Sequence, residues 1–228
     1  GSTIFDDCYY NSIPIGFNFV YCGNTYTSLS ASQNCWIVLG QTFGTTVYNT
    51  YDCDLSNTTT GGFGNFNLAR PIIAAMWLDV LVTANNVRYA TTGSAPNRVF
   101  TIEFYHCGLY PSSSAAEDVE IILYETTNII DFAYKNISSG STGTGHFAIG
   151  ITDGVGGFPT TGTPNYWSLN GTGSSPTRRW ISRGGGRSAT PMSCRRRWRH
   201  RIAIQRKRRN CVSASLARCR NSASVSAP

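Results

Sequence analysis

Along "IPIGFNFVY" the large apolar side chains alternate with Pro, Gly, Asn and Val, which puts Ile15, Phe17, Phe19 and Tyr21 on one face of an extended segment. "CGNT" then turns the chain into "YTSLSAS" and "CWIVLG". "ARPIIAAMWLDVLV" is an almost unbroken apolar run and predicts a central strand covered on both faces. Further on, "NNVRYATTG" passes through the turn "SAPN" into "RVFTIEFYHC". A Ser-rich loop, "GLYPSSSAAE", leads to "DVEIILYE", a tight connection at "TTN" and the returning strand "IIDFAYKNI". "GHFAIGITDG" and "PNYWSLNG" complete about ten short strands, with no stretch of helical apolar spacing. The pattern predicts an all-β fold over residues 1–177: a β-sandwich, with jelly-roll connections among the topologies it allows.

The middle of the chain also predicts a register. Pairing Phe104 with Val119, Ile102 with Ile121 and Phe100 with Leu123 keeps one face apolar and sets Arg98 against Glu125. A turn centred between Thr126 and Thr127 then places Lys135 opposite Asp118 and Asp131 opposite Ile122. The same register forces Glu103 against Glu120, a like-charge contact that costs stability unless solvent or a cation relieves it.

Charge divides the chain in two. Residues 1–177 hold four Lys and Arg against all 12 Asp and Glu, a net of −8, whereas residues 178–228 hold 15 Lys and Arg and no acid. The overall +7 describes neither part. The tail, with "RRRWRHRIAIQRKRR" at residues 195–209, shows little alternation and is expected to be poorly ordered, because its charges cannot compensate one another. As a native arm it would bind nucleic acid through its Arg cluster, with Trp198 stacking on bases, or would contact a membrane surface or an anionic glycan. An Arg-, Ser-, Ala- and Cys-rich end without acids is also what a shifted reading frame produces, and that non-native origin is the preferred reading. No run reaches the length of a membrane span, and the opening "GSTIF" reads as a mature or excised form.

Candidate chemistry is sparse. The cysteines at 8, 22, 35, 53 and 107 form no Cys-x-x-Cys pair and suit an extracellular domain with one or two disulfides and an odd thiol. His106 and Cys107 are adjacent on a strand and point to opposite faces, which argues against a shared zinc. Glu103 and Glu120, with Asp131 nearby, have the cross-strand arrangement from which jelly-roll glycosidases build an acid and a nucleophile or base. The string "EDVE" departs in spacing from the Glu-x-Asp-x-Glu strand of laminarinase-like glycosidases. "DCDLSN" offers Asp52 and Asp54 as calcium ligands but has Asn57 where the turn glycine belongs. Asp79, inside the apolar run, is expected to be a buried structural acid that accepts hydrogen bonds from a neighbouring loop. Nucleophile-elbow, zincin and phosphate-loop motifs are missing.

The ordered strings "IPIGFNFVYCGNTYTSLSASQNCWIVLG", "ARPIIAAMWLDV", "VRYATTGSAPNRVFTIEF", "VEIILYETTNIIDFAY" and "GHFAIGITD" resemble a β-sandwich domain of large secreted and cell-surface proteins of Bacteroidetes-type bacteria. They are more distantly similar to the nidogen-like (NIDO) extracellular domain. Against that pattern, Cys22 and Cys35 replace an aromatic and a glycine, which suggests a bridge between neighbouring strands. "WLDV" supplies only Asp79 of two expected acidic residues. The resemblance implies a non-catalytic module of adhesins, surface filaments or multidomain secreted enzymes. The function expected is adhesion or surface assembly, with an extracellular glycan or a surface protein as partner and Tyr166 and Trp167 as candidate aromatics for weak glycan binding. A glycoside hydrolase using Glu103 and Glu120 is the alternative, and nucleic-acid binding through the tail the third reading.

Overall fold

A computed structural model describes residues 4–42, 55, 70–83, 86–110, 117–135, 146–154, 166–172 and 214–215. Every regular element among them is a strand. In chain order these are β1 (Ile4–Phe5), β2 (Tyr9–Tyr21), β3 (Asn24–Ser32), β4 (Trp36–Leu39), β5 (Ile72–Trp77), β6 (Val80–Thr83) and β7 (Val87–Thr92). They are followed by β8 (Val99–Leu109), β9 (Glu117–Tyr124), β10 (Ile130–Lys135), β11 (His146–Thr152), β12 (Tyr166–Thr172) and β13 (Ala214–Ser215). One sheet runs β12-β11-β5-β4-β3-β2. In the other, β8 lies between β9 and the pair β6 and β7, with β10 beyond β9, β1 beside β6 and β13 beside β7. After β1, which joins the second sheet, the chain builds the first sheet with β2 to β5, lays down β6 to β10 in the second, and returns with β11 to lie against β5. Of the basic tail, only β13 falls among the described residues, pairing Ala214 with Tyr89 and Ser215 with Arg88.

The predicted alternation is what closes the sandwich. On β2, Ile13, Ile15, Phe17, Phe19 and Tyr21 are buried while Pro14, Gly16, Asn18 and Val20 between them are exposed. Their apolar face joins Leu29, Ile37 and Ile73 of the same sheet and Val80, Phe100, Ile102, Phe104, Val119, Ile121 and Leu123 of the other in one core. The first sheet has a second buried face, where Trp36, Val38, Ile72, Ala74 and Trp77 pack with Leu55. The Trp36 and Trp77 rings stand 5.0 Å apart. β5 is therefore apolar on both faces, as a doubly covered strand should be.

The run "ARPIIAAMWLDVLV" nevertheless forms two strands rather than one. β5 belongs to the first sheet and β6 to the second, and the chain changes sheet at residues 78–79. Hydropathy cannot reveal this, because both halves are buried. The break is set by polar groups in the β3–β4 turn. The Cys35 carbonyl accepts from both Ala75 and Met76 (3.2 and 3.4 Å), which bulges β5 at its end. The Asn34 carbonyl takes the Leu78 amide, and the Asn34 side-chain oxygen takes the Val80 amide at 3.0 Å. Gln33 Nε2 donates to the Val80 carbonyl at 2.9 Å. Gln33 and Asn34 are both fully buried, so these amides replace the ladder bonds that the corner interrupts.

The predicted register holds across β8, β9 and β10. Phe100, Ile102 and Phe104 oppose Leu123, Ile121 and Val119. Asp131 opposes Ile122, and Lys135 opposes Asp118. Arg98 grips Glu125 with two guanidinium nitrogens (2.9 and 2.5 Å) and reaches across to the Gly16 carbonyl of the first sheet. Gly16 has φ of 87°, and a Cβ there would meet Thr91 Oγ1 at 3.0 Å, the same hydroxyl that donates to the Ile15 carbonyl. One end of the sandwich is thus tied by Arg98 and Thr91, the other by the Gln33–Asn34 corner. Asn34→Ala is expected to leave buried backbone groups unsatisfied and to cost about 1–3 kcal/mol, read as a thermal midpoint lower by roughly 5 °C. Asn34→Asp, which keeps the acceptor but adds a carboxylate beside Asp7, should lose more at pH 7 than at pH 5.

Candidate functional site

The outward face of the second sheet carries the charged residues of the meander. Glu103 on β8 stands directly opposite Glu120 on β9, as the sequence requires. On its other side Glu103 is paired with Arg88 of β7, whose guanidinium lies 3.7 Å from the carboxylate and 4.4 Å over the Tyr105 ring. This cation offsets the Glu103–Glu120 contact, through the β7–β8 pairing that sets Arg88 beside Glu103. Asp131 sits one row further along, opposite Ile122, and its Oδ1 is enclosed without a hydrogen-bond donor. The three carboxylates therefore share a face, with Asp131 diagonal to Glu120.

The next row is set by a bulge. Between Phe104 and Cys107 the β8–β9 register shifts, and His106 takes φ of 53°. Asn86 holds the bulged carbonyls of Tyr105 and His106. His106 consequently turns outward, stacks on Tyr105 at 3.8 Å, and Cys107 turns into the core. Asp118 accepts from the His106 amide and approaches its ring Nδ1, both at 3.0 Å, while Lys135 Nζ lies 3.3 Å from its other oxygen. Burial pushes the Asp118 carboxyl up, but the His106 and Lys135 contacts outweigh it and hold it below the usual carboxylate range.

A second cluster lies at the sheet-changing corner. Asp79 is half-buried, and its carboxylate meets those of Asp6 and Asp7, with ligand oxygens all within 4.8 Å of one another. Its neighbours are thus acids from the β1–β2 connection, not the loop donors expected for a structural acid. Loss of hydration, then the Asp7 and Asp6 charges, push Asp79 up to about 6. Loss of hydration, then Asp7, push Asp6 up to about 6 as well. Asp7 is tied into the corner by accepting from Asn34 Nδ2 at 3.2 Å. Among the described residues this is the group with the oxygen spacing that a hard cation such as calcium uses. The other calcium candidates, Asp52 and Asp54, lie outside the described residues, as do the side chains of Tyr166 and Trp167.

The chain carries a disulfide, as its cysteines suggested, but not between Cys22 and Cys35. Cys22, Cys35 and Cys107 are free thiols, and Cys8 is in a disulfide. A Cys22–Cys35 bridge is ruled out by geometry. Cys22 sits in the turn before β3 and Cys35 in the turn after it, so the strand's 9 residues separate them, about 30 Å at the usual rise per residue. A disulfide needs Cα atoms within about 7 Å.

Fold and site together define a two-sheet, all-β module whose charged residues lie on an open sheet face and at a sheet corner. The chain matches the family model described as NIDO related over residues 1–191, and it belongs to that family. No curated protein and no solved structure matches it. The family match runs past Thr177, where the charge balance changes.

Two predictions follow from the charges. Arg88→Ala should cost about 0.5–1 kcal/mol by exposing the Glu103–Glu120 repulsion, whereas Glu103→Gln should be nearly neutral; chemical denaturation distinguishes them. For pH, Asp6 and Asp79 bind protons more tightly when folded than unfolded, so the stability they withhold at pH 7 returns as pH falls through about 6. Asp118 and Glu125 are depressed when folded, so their contribution is lost at more acid pH. The thermal midpoint should rise from pH 7 to 5 and fall below about pH 4, and Asp79→Asn should raise it at pH 7 and flatten the first limb.

Proposed function

We propose that this chain is a secreted or cell-surface module that serves adhesion or surface assembly and catalyses no reaction. The observation that carries the reading is the family match over residues 1–191, since NIDO-related domains are extracellular modules. The disulfide at Cys8 supports it, because such bonds persist in oxidising compartments. An extracellular glycan or a surface protein is the partner class. For a glycan, Tyr166 and Trp167 remain the candidate contacts, on β12 at the edge of the first sheet. Proteolytic shaving of intact host cells, with the culture medium assayed in parallel, tests the location. Release from the surface or recovery in the medium is expected, and exclusive recovery from the cytosol would sink the reading.

A second reading, glycoside hydrolysis by Glu103 and Glu120, has one observation in its favour: the register brings the two carboxylates face to face. Against it, Arg88 already engages Glu103. A polysaccharide panel should show no cleavage by the chain. Cleavage abolished in folded Glu103→Gln and Glu120→Gln variants would establish the hydrolase instead. Nucleic-acid binding rests on residues 178–228 and would appear as salt-dependent DNA binding lost on their deletion.

A further inference from the structure

Cys35 and Cys107 belong to different sheets yet meet in the same core. Cys35 follows β3 with φ of 64°, its carbonyl pinned by the Ala75 and Met76 amides, and it is wholly buried. Cys107 is turned inward on β8 by the His106 bulge and is equally buried. The backbone between them is short in space. Asn34, next to Cys35, holds the Val80 amide, and Val80 pairs with Leu109, two residues from Cys107. Both side chains lie in the one core that the two sheets share; the Cys35 thiol donates to the Gln33 carbonyl at 3.7 Å, and Cys107 is the neighbour that most raises its proton affinity. Elsewhere in the chain a disulfide already forms, at Cys8.

We infer that Cys35 and Cys107 close a second disulfide, which staples the two sheets together in the mature protein. The oxidant is a protein or small-molecule disulfide of the extracytoplasmic setting, so the inference rests on the location proposed above. Exchange forms the Cys35–Cys107 S–S bond and breaks the oxidant's, whose two sulfurs leave as thiols carrying the two protons. The order of events follows from burial. In the closed sandwich the Cys107 contact, loss of water and the nearby Glu117 charge all raise the Cys35 thiol well above its ordinary value, so little attacking thiolate exists. The bond therefore forms while the sheets are closing.

The test is to reduce and unfold the full chain, refold it in a glutathione and glutathione-disulfide buffer, alkylate in denaturant, and map non-reduced peptides by mass. Peptides holding Cys35 and Cys107 should appear linked, about 2 Da below the sum of their free forms. The bridge closes a long loop, so the oxidised chain should melt roughly 10 °C above an equally treated Cys35→Ala variant. Under reduction the two should nearly coincide. Should refolding fail, the chain secreted directly into a bacterial periplasm is mapped in the same way. Alkylated Cys35 and Cys107 beside an oxidised Cys8 would overturn the pair while leaving the extracellular reading intact. Linked peptides from a protein that shaving places in the cytosol would uphold the thiol geometry and overturn the location.

Discussion

The fold turns on how the chain leaves one sheet for the other without stranding its backbone in the core. Leu78 and Val80 are buried on either side of half-buried Asp79, and a buried amide left unbonded there costs about 1–3 kcal/mol. Two side-chain amides solve the problem. Asn34 bonds the Val80 amide with its oxygen and Asp7 with its nitrogen, while Gln33 bonds the Val80 carbonyl and, through its own amide, the Cys8 carbonyl. One turn therefore fixes the end of β5, the start of β6 and the entry to β2. With the corner set, β6 can lie against β8, which brings the inward faces of β8 and β9 over the first sheet.

Strands and local register were legible in the sequence because each depends on a period that side chains declare. Phe100, Ile102 and Phe104 alternate with Thr101 and Glu103, and only one antiparallel pairing with β9 keeps the apolar set together. The corner was not legible, because the run from Ile72 to Val82 is apolar on both sides of the break and its polar determinants lie some 40 residues earlier, in "QNC". The bulge at His106 was hidden for a related reason. Strict alternation would point His106 and Phe104 to the same face, and the hydrogen bonds that prevent this come from Asn86, in a different strand connection.

The same limit separates what was seen of the charged residues from what was missed. Glu103, Glu120 and Asp131 fall in the register the sequence predicts because they lie on consecutive strands whose apolar faces fix the pairing. Asp79 stands half-buried among acids that lie far from it in the chain. Its acidic neighbours, Asp6 and Asp7, come from the start of the chain, and only the Asn34 turn brings that segment to the corner. Proximity of this kind depends on the finished tertiary structure, and no local pattern announces it.

How the charges are arranged bears on function. Catalytic carboxylates act when their surroundings push their proton affinities apart, which requires an unequal environment. On the open face of the second sheet Arg88 pairs with Glu103, and Lys135 and the His106 ring contact Asp118 a row away, while Asp131 Oδ1 is enclosed without a donor. At the corner, loss of hydration and then the charge of Asp7 push both Asp6 and Asp79 up to about 6. That strain is sustained by the hydrogen bonds of Asn34 and Gln33, so the electrostatics of the corner and the crossing between the sheets are one structural problem. A charge change at Asp79 or Asp7 therefore acts on the stability of the sandwich itself.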